Sequence, residues 1–185
     1  MERRVRRTRT LIKNAFIELL KEKDLSALTI TELTHKADID RRTFYLHYSC
    51  IEDIVVDIEK EAMDALHQLL LSMTDFNISS FFDGLSNIIT ENIDFFRIVT
   101  ENDNYHRFIA KCKSLLKSVI KDQFFSSSTL SEEDFDIYCE YVSSGIVGIY
   151  CNWLISDSAM TLEELTHKAE IAVLDSWNLI INSSK

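Results

Sequence analysis

Two short helical segments and the turn between them are encoded by residues 28–48, LTITELTHKADIDRRTFYLHY. Thr29 and Glu32 have the spacing of a capping box, in which the threonine hydroxyl accepts from a backbone amide and the glutamate bonds back. This box predicts a short helix over residues 30–36. Asp40 predicts the start of a second short helix in a similar way, because its carboxylate accepts from free amides at a helix start.

The arrangement is typical of a helix-turn-helix, whose second helix enters the major groove of DNA and presents its first residues to the bases. Arg41 and Arg42 occupy the first turn of that second helix, which spans about residues 41–47. Arginine can donate two hydrogen bonds to guanine O6 and N7, the commonest base-specific contact. The pattern therefore predicts that both arginines face bases.

The composition favours helices along the whole chain. Its 185 residues include no proline and three glycines, which are too few turn formers for an all-β fold or a phosphate-binding loop. No run of eighteen apolar residues predicts a membrane span. We expect an all-α protein of about nine helices, with a three-helix DNA-binding domain over residues 1–50 and a helical ligand-binding and dimerisation domain over residues 51–185.

Helix boundaries follow from capping signals. Thr8 or Thr10 is expected to cap the first helix, and Ser49 with Glu52 is expected to form a capping box before the fourth. The last helix is predicted to begin at a capping box over residues 161–164. The fourth helix is expected to bury Ile51, Ile54, Val55, Ile58, Ala62, Ala65, Leu69 and Met73.

Charge is divided unevenly along the chain. Residues 1–48 carry eleven lysines and arginines and seven aspartates and glutamates, a formal charge of +4. Residues 49–185 carry nine lysines and arginines and twenty-three aspartates and glutamates, a formal charge of −14. A basic segment in an acidic chain indicates contact with nucleic acid. The sharpest basic cluster consists of Arg3, Arg4, Arg6, Arg7 and Arg9, for which a solvated tail is the alternative interpretation.

Residues 28–33 and 37–48 together resemble the signature of the TetR/AcrR family of transcriptional regulators. The run from Thr43 to Tyr48, Thr-Phe-Tyr-Leu-His-Tyr, is its most specific part, and the resemblance extends over residues 8–56. Members are all-helical dimers, and most are repressors that a small molecule releases from DNA. The resemblance therefore implies a cytoplasmic homodimer that binds a palindromic double-stranded operator and is released by an effector.

The resemblance also assigns contacts to individual residues of the helix-turn-helix. Arg41, Arg42 and Thr43 would face bases, and Tyr45 and His47 would contact phosphates. A helix N-terminus is a favourable place for an anion, which gives the N-terminal amides of the second helix a phosphate contact as well. The implied DNA-binding residues are Thr29, Thr31, Arg41, Arg42, Thr43, Tyr45, His47, Arg6 and Arg7.

The chain departs from the family pattern at three places. Asp38 stands where the turn usually has glycine, although aspartate tolerates a left-handed backbone better than most residues. Arg42 stands where a small residue is common. Ile51 stands where the family often has a phosphate-binding lysine, an absence that the N-terminal arginines would offset. Phe44 and Tyr48 are implied to hold the recognition helix on the core.

The last two predicted helices resemble the pair that meets its own copy in a four-helix dimer interface in many small TetR-type proteins. Glycine inside a helix costs about 1 kcal/mol relative to alanine, so Gly145 and Gly148 indicate close packing. Packing within one subunit is the alternative. The implied interface residues are Ser144, Gly145, Gly148, Trp153 and Trp177.

Eight of the eleven phenylalanines lie between residues 76 and 125, where the family usually builds its effector cavity. Such a cavity would take an apolar or aromatic molecule, whereas ordinary core packing is the alternative. The implied lining residues are Phe81, Phe82, Phe95, Phe96, Tyr105, Phe108 and Cys112.

Other functional classes lack a matching motif. We find no nucleophile elbow, phosphate loop or metal-ligand spacing, and therefore expect neither an enzyme nor a cofactor or metal. Without an export signal, the four cysteines are expected to be reduced. Thiol sensing through Cys112, Cys139 or Cys151 is an alternative to inert, buried thiols. Another is a regulator of this fold that acts through a protein partner; a filled C-terminal domain would favour it, and an apolar cavity would favour an effector.

Overall fold

The computed structural model describes residues 2–72, 77–101 and 106–183. Nine α-helices and no β-strand occur within these ranges, which confirms the predicted all-α fold. None of the described helices is both long enough and apolar enough to cross a lipid bilayer. The helices are α1 (Glu2–Leu20), α2 (Ile30–Lys36), α3 (Arg41–Tyr45), α4 (Glu52–Leu71), α5 (Ile78–Glu91), α6 (Ile93–Glu101), α7 (His106–Phe124), α8 (Glu132–Ile155) and α9 (Leu162–Ser183), with 3-10 turns at Leu25–Ala27 and Phe125–Ser127.

The chain divides into two compact units, Met1–Ala62 and Met63–Lys185. This division falls inside α4, later than the expected domain boundary at residue 50. The first half of α4 belongs to the first unit and buries Ile54, Val55 and Ile58. The helix-turn-helix unit therefore includes three turns of helix that follow the motif itself.

The first helix begins earlier than its threonines suggest. Thr8 and Thr10 lie inside α1, where their hydroxyls donate to the carbonyls of Arg4 at 3.1 Å and Arg6 at 3.0 Å. A threonine inside a helix can bond in this way to the carbonyl one turn before it, so neither residue caps the helix. The arginine-rich segment is thus the start of α1 rather than a tail.

The capping box expected at the start of α4 is also wrong. The helix begins at Glu52, and the carboxylate that bonds back belongs to Asp53. Asp53 accepts from the amide of Ser49 at 2.7 Å and from that of Cys50 at 3.3 Å. Acidic side chains near a helix N-terminus are stabilising, and here the second acidic residue, not the first, reaches the free amides.

In the second half of α4, the buried residues lie one position later in the sequence than predicted. Leu66 and Leu70 are buried, whereas Ala65 is exposed and Leu69 is half-buried. Both rows have helical spacing, but the row with two leucines removes more apolar area from water. Met73, which was also expected on this face, lies outside the described residues.

The second unit has a core built from all of its helices, with Phe82, Phe135 and Cys139 fully buried. Gly84 lets α5 pack closely on α4, because a Cβ atom there would overlap the side chain of Leu69. The predicted capping box before α9 is confirmed: the Thr161 amide donates to Glu164 Oε2 at 2.9 Å, and the Glu164 amide donates to Thr161 Oγ1 at 3.2 Å.

Candidate functional site

The turn between α2 and α3 has the backbone that its sequence anticipates. Asp38 has a φ of 52°, in the left-handed region that aspartate tolerates better than most residues. Its amide donates to the His35 carbonyl at 3.2 Å, and the Ile39 amide donates to the Thr34 carbonyl at 3.0 Å. This turn sets α3 at a fixed angle to α2 without the usual glycine.

The capping box at the start of α2 is confirmed. The Glu32 amide donates to Thr29 Oγ1 at 3.2 Å, and the Thr29 amide donates to Glu32 Oε2 at 3.1 Å. Lys23 also pairs with the Glu32 carboxylate, at 2.5 Å. The bonds from Lys23 and Thr29 lower the pKa of Glu32 below its ordinary value. The Thr29 hydroxyl is therefore engaged in the capping box, although Thr29 itself lies exposed at the start of α2.

The start of α3 is organised by Asp40. Its carboxylate accepts from the Thr43 amide at 2.7 Å and from the Thr43 hydroxyl at 3.1 Å. These bonds, the amide bond first, lower the pKa of Asp40. Arg41 and Arg42, the two residues inside this cap, are exposed. The first turn of α3 thus presents two guanidinium groups on a capped, ordered backbone.

Each residue predicted to bind DNA is at least partly accessible. The exposed members are Arg6, Arg7, Thr29, Thr31, Arg41, Arg42 and Tyr45, and the half-buried members are Thr43 and His47. The α2–α3 motif brings seven of them together, while Arg6 and Arg7 lie on α1. Phe44, in the middle of α3, is fully buried and packs edge-on against Tyr45, with ring centroids 5.5 Å apart. One face of α3 is therefore anchored and the other is free.

A buried polar network, which the sequence patterns did not reveal, holds the end of this motif. The Asp57 carboxylate on α4 accepts from the Tyr48 hydroxyl at 2.7 Å and pairs with Lys13 at 2.7 Å. Arg9 donates to the same carboxylate and lies over the Tyr48 ring, 5.6 Å from its centroid. Lys13 also pairs with Glu61 at 2.6 Å. Arg9 is thus engaged within the unit, unlike the exposed Arg6 and Arg7 of the same basic cluster.

The network shifts the pKa values of its members. Burial alone would raise the pKa of Asp57, but hydrogen bonds from Lys13, Tyr48 and Arg9 bring it below its ordinary value. Burial raises the pKa of Tyr48, so its hydroxyl stays protonated and donates. Asp57 is accordingly an ionised acceptor for three donors, consistent with a clamp on α1, α4 and the segment after α3.

The second unit contains an apolar cavity of about 210 Å³. Phe81 and Phe82 of α5 line it, as two of the predicted pocket residues. The other walls come from α4, α7, α8 and α9, and include Tyr138 and Trp177. The interior is therefore built from side chains that are apolar except for the hydroxyl-bearing Tyr138.

The other described residues predicted for the pocket are not part of this lining. Phe95, Phe96 and Phe108 pack against one another, with ring centroids 5.9 to 6.4 Å apart. The Cys112 thiol contacts the Met63 sulfur at 3.6 Å. Tyr105 is outside the described residues. These three phenylalanines form a separate aromatic cluster, in which Phe95 and Phe96 of α6 pack against Phe108 of α7.

The residues predicted for self-association fall into two groups. Gly145 and Gly148 face open space in the protomer, since a Cβ atom at either position would meet nothing within 4 Å. Ser144 is half-buried beside them. In contrast, Trp153 donates from Nε1 to the Met160 carbonyl at 2.8 Å, and Trp177 packs on Tyr138 in the cavity wall. Both tryptophans thus make their described contacts inside one protomer.

An outward apolar face runs along α8. Ile137 and Tyr141 are each 65% exposed, and Ile155 is 52% exposed. Tyr141, Gly148 and Ile155 are spaced seven residues apart, the repeat with which helices meet along a seam. α9 adds Ile171 and Leu174, which are also exposed apolar side chains. We call the residues Ile137, Tyr141, Gly148 and Ile155 the α8 seam.

The cysteines are free thiols. Burial raises the pKa of Cys139 and of Cys151, which disfavours the reactive thiolate. In the described ranges, histidine, cysteine, aspartate and glutamate side chains form no group of three or more that could hold a metal ion.

Comparison with known proteins places the chain among regulators. The TetR-type family model described as transcriptional regulator C-terminal region matches residues 77–175, more than half of the chain. The uncharacterized HTH-type transcriptional regulator YxbF of Bacillus subtilis (strain 168) is 26% identical over 155 residues, covering 80% of this chain. That match covers 40% of YxbF, so the chain spans about two fifths of its relative's length.

Two solved structures have a similar fold. The dihydroxyacetone kinase operon activator DhaS has a TM-score of 0.72 at 21% identity, with 94% of this chain and 98% of DhaS covered. A TetR/AcrR-family transcriptional regulator from Aquifex aeolicus VF5 has a TM-score of 0.73 at 15% identity, with 91% and 99% covered. At these identities the likeness shows a shared fold.

Proposed function

This chain belongs to the TetR family of transcriptional regulators, and we propose that it binds a palindromic DNA operator as a homodimer through α3. The observation that carries the proposal is the exposure of Arg41 and Arg42 in the first turn of a capped recognition helix. Arginine at this place in a helix-turn-helix can donate two hydrogen bonds to guanine. The role is regulatory rather than catalytic, and we expect it in the cytoplasm.

The hydrogen bonds of α3 refine the roles of its other residues. The Thr43 hydroxyl donates its proton to Asp40, which leaves its lone pairs as acceptors. Thr43 would therefore accept from the amino group of adenine N6 or cytosine N4 rather than donate to guanine. Tyr45 and His47 would contact phosphates, and the amides at the start of α2, beside Thr29 and Thr31, would meet a third phosphate.

Self-association would bring two recognition helices onto one operator. Two half-sites lie about 34 Å apart, or a multiple of that distance, on one side of the duplex. The α8 seam supports dimer formation, because its exposed apolar side chains repeat every seven residues around a glycine that faces open space. An apolar face of this kind is typical of a surface that another copy covers.

Release by an effector is the regulatory step that we propose. The 210 Å³ cavity supports a small-molecule effector, because a filled domain would offer it no room. α4 contributes residues to both units, so an effector that prefers one arrangement of this helix would change the population able to bind the operator. Such coupling must be reciprocal: bound DNA weakens effector binding by the same factor.

Binding-site selection with purified protein tests the proposal. The Arg41→Ala protein should lose preference for the selected palindrome over single-base variants by about 5- to 150-fold, the equivalent of roughly 1–3 kcal/mol for one base contact. Arg107→Ala is the control, because Arg107 is an exposed arginine at the start of α7 in the second unit. Equal loss in both variants, or no selected sequence at all, would contradict base reading by α3.

A regulator that activates transcription through a protein partner is the second candidate. Its activating sign is favoured by the structural likeness to DhaS, which is named an operon activator. The two candidates differ in sign when the gene is deleted in a strain carrying a reporter behind the selected operator. Reporter expression should rise if the protein is a repressor and fall if it is an activator.

A further inference from the structure

We infer that the cavity of the second unit binds an uncharged, mainly apolar molecule of about eight or nine non-hydrogen atoms, with the Tyr138 hydroxyl as its polar contact. The inference names the chemical class of the proposed effector. The regulatory role of the ligand rests on the proposed function. Binding itself depends only on the second unit, which carries the whole of the cavity.

The lining excludes a charged ligand. Every described residue that lines the cavity is uncharged. Two lysines of α7, a helix that contributes to the lining, are paired with acids of α8: Lys117 with Glu140 at 3.2 Å, and Lys121 with Asp136 at 2.9 Å. A carboxylate or ammonium group inside the cavity would lose its hydration and gain no partner, at a large cost in free energy.

The volume limits the size of the ligand. An apolar cavity of about 150 Å³ in another protein holds one benzene molecule, which has six heavy atoms. Scaling to 210 Å³ gives about eight or nine heavy atoms, the size of a substituted benzene. Phe81, Phe82 and Trp177 in the wall offer ring edges and faces that suit an aromatic guest.

Tyr138 supplies the polar contact. Its side chain is buried, and burial raises its pKa, so the hydroxyl keeps its proton. Ser176, whose hydroxyl donates to the Val173 carbonyl at 2.8 Å, partly offsets this rise. A phenol can both donate and accept hydrogen bonds, so the Tyr138 hydroxyl can bind the hydroxyl group of a ligand. Tyr138 lies directly beside Trp177, with ring centroids 5.5 Å apart.

Trp177 gives a direct signal for this site. The chain has two tryptophans, so Trp153→Phe leaves the cavity tryptophan as the only one. We would titrate this protein, without DNA, with 2-phenylethanol and with its charged counterpart phenylacetate. 2-Phenylethanol should change the Trp177 emission in a saturable way, and phenylacetate should bind at least tenfold more weakly.

Two further variants locate the site. Tyr138→Phe should weaken the binding of 2-phenylethanol by about two- to tenfold, the equivalent of one hydrogen bond. It should leave the binding of ethylbenzene, which has no hydroxyl, unchanged. Val173→Phe places a ring in the cavity from a half-buried position and should abolish binding of both probes. If Val173→Phe does not fold, the Tyr138→Phe comparison decides alone.

Equal binding of phenylacetate and 2-phenylethanol would overturn the inference, as would an unsaturable signal from both neutral probes. So would full binding to a folded Val173→Phe protein, because the probe would then lie elsewhere. Since no DNA is present, these failures leave DNA binding by α3 untouched. Conversely, loss of operator selectivity in Arg41→Ala says nothing about the cavity.

Discussion

The Tyr48 hydroxyl donates to Asp57 Oδ2 at 2.7 Å, which ties the segment following the recognition helix to α4. The same carboxylate binds Lys13 at 2.7 Å and Arg9 Nε at 3.1 Å, so α1 joins the same clamp. A carboxylate has acceptor sites for several donors, and Asp57 uses them on three side chains. The orientation of α3 thus depends on a residue twelve positions beyond its last turn.

Replacing Asp57 by asparagine should destabilise the first unit. The substitution leaves Lys13, which is 9% exposed, without one of its two acidic partners and removes the charge facing Arg9. Breaking a buried ion pair costs about 3–5 kcal/mol, so we expect a decrease of about 3 kcal/mol in the free energy of unfolding. Urea unfolding followed by circular dichroism measures it. Glu61→Gln is the control, because the Glu61 side chain is 64% exposed and should contribute less than about 1 kcal/mol.

The same clamp predicts the direction of acid sensitivity. Asp57 has a pKa below its ordinary value of 3.8, so its contribution is complete above that value and is lost as pH falls through the lower, folded-state pKa. Between neutral pH and about pH 3, the wild-type first unit should lose more stability than Asp57→Asn does. Parallel acid unfolding curves for the two proteins would show that the clamp does not lower the pKa of Asp57.

Short-range sequence patterns predicted the helix-turn-helix motif. They did not predict contacts between residues that lie far apart in the sequence. The capping boxes of Thr29 and Thr161 and the Asp40 cap follow from residues three positions apart, which a sequence displays directly. Asp57 meets partners 9 to 48 positions away, and nothing in its neighbourhood marks it as buried. Ser49 failed as a cap for a related reason, since two successive acids compete for the same amides and only the fold selects Asp53.

The cavity shows the same limit. The phenylalanine-rich region suggested a pocket that includes Phe81 and Phe82, but composition does not say which rings face each other. Phe95 and Phe108 pack against each other and are not among the residues that line the cavity. Trp177, which was expected at a dimer interface, lines it. Helix packing decides between these outcomes, and it depends on pairs such as Tyr138 and Trp177 that lie far apart in the chain.

The basic cluster of α1 should divide into two functional classes. Arg6 and Arg7 are exposed, so Arg6→Ala with Arg7→Ala should weaken binding to all DNA sequences alike and reduce the salt slope, by about 0.9 for each phosphate that is no longer neutralised. Arg9→Ala is the matched comparison, because Arg9 already binds Asp57 and should mainly lower stability. Fluorescence anisotropy at several salt concentrations measures both. An unchanged slope in the double variant would remove Arg6 and Arg7 from the interface.

Gly84 should be intolerant of a side chain in spite of its helical position. Alanine would gain about 1 kcal/mol of helix propensity, but its Cβ would overlap Leu69, and overpacking costs about 1–3 kcal/mol. We expect Gly84→Ala to be destabilising in the wild-type background and stabilising in a Leu69→Ala background. A double-mutant cycle from urea unfolding measures the coupling. Equal effects in both backgrounds would show that Leu69 moves aside freely.

The α8 seam should be sensitive to a bulky residue at its centre. In the protomer, a Cβ atom at Gly148 meets nothing within 4 Å, so the folded chain has room for a larger side chain there. If a second copy covers the seam, Gly148→Leu holds the two helices apart, at a cost of about 1–3 kcal/mol. The dissociation constant of the dimer should then rise by about 5- to 150-fold. Sedimentation equilibrium at several protein concentrations measures this constant.

Ser118→Leu provides the control for that experiment. It places the same side chain on an exposed position of another helix, α7, and should leave the dimer intact. The two variants differ in what each leucine meets, because only Gly148 lies in line with Tyr141 and Ile155. Added apolar surface would by itself promote association, so weaker dimers of Gly148→Leu alone would reflect a steric clash. A folded Gly148→Leu protein that dimerises as tightly as Ser118→Leu would place the interface elsewhere.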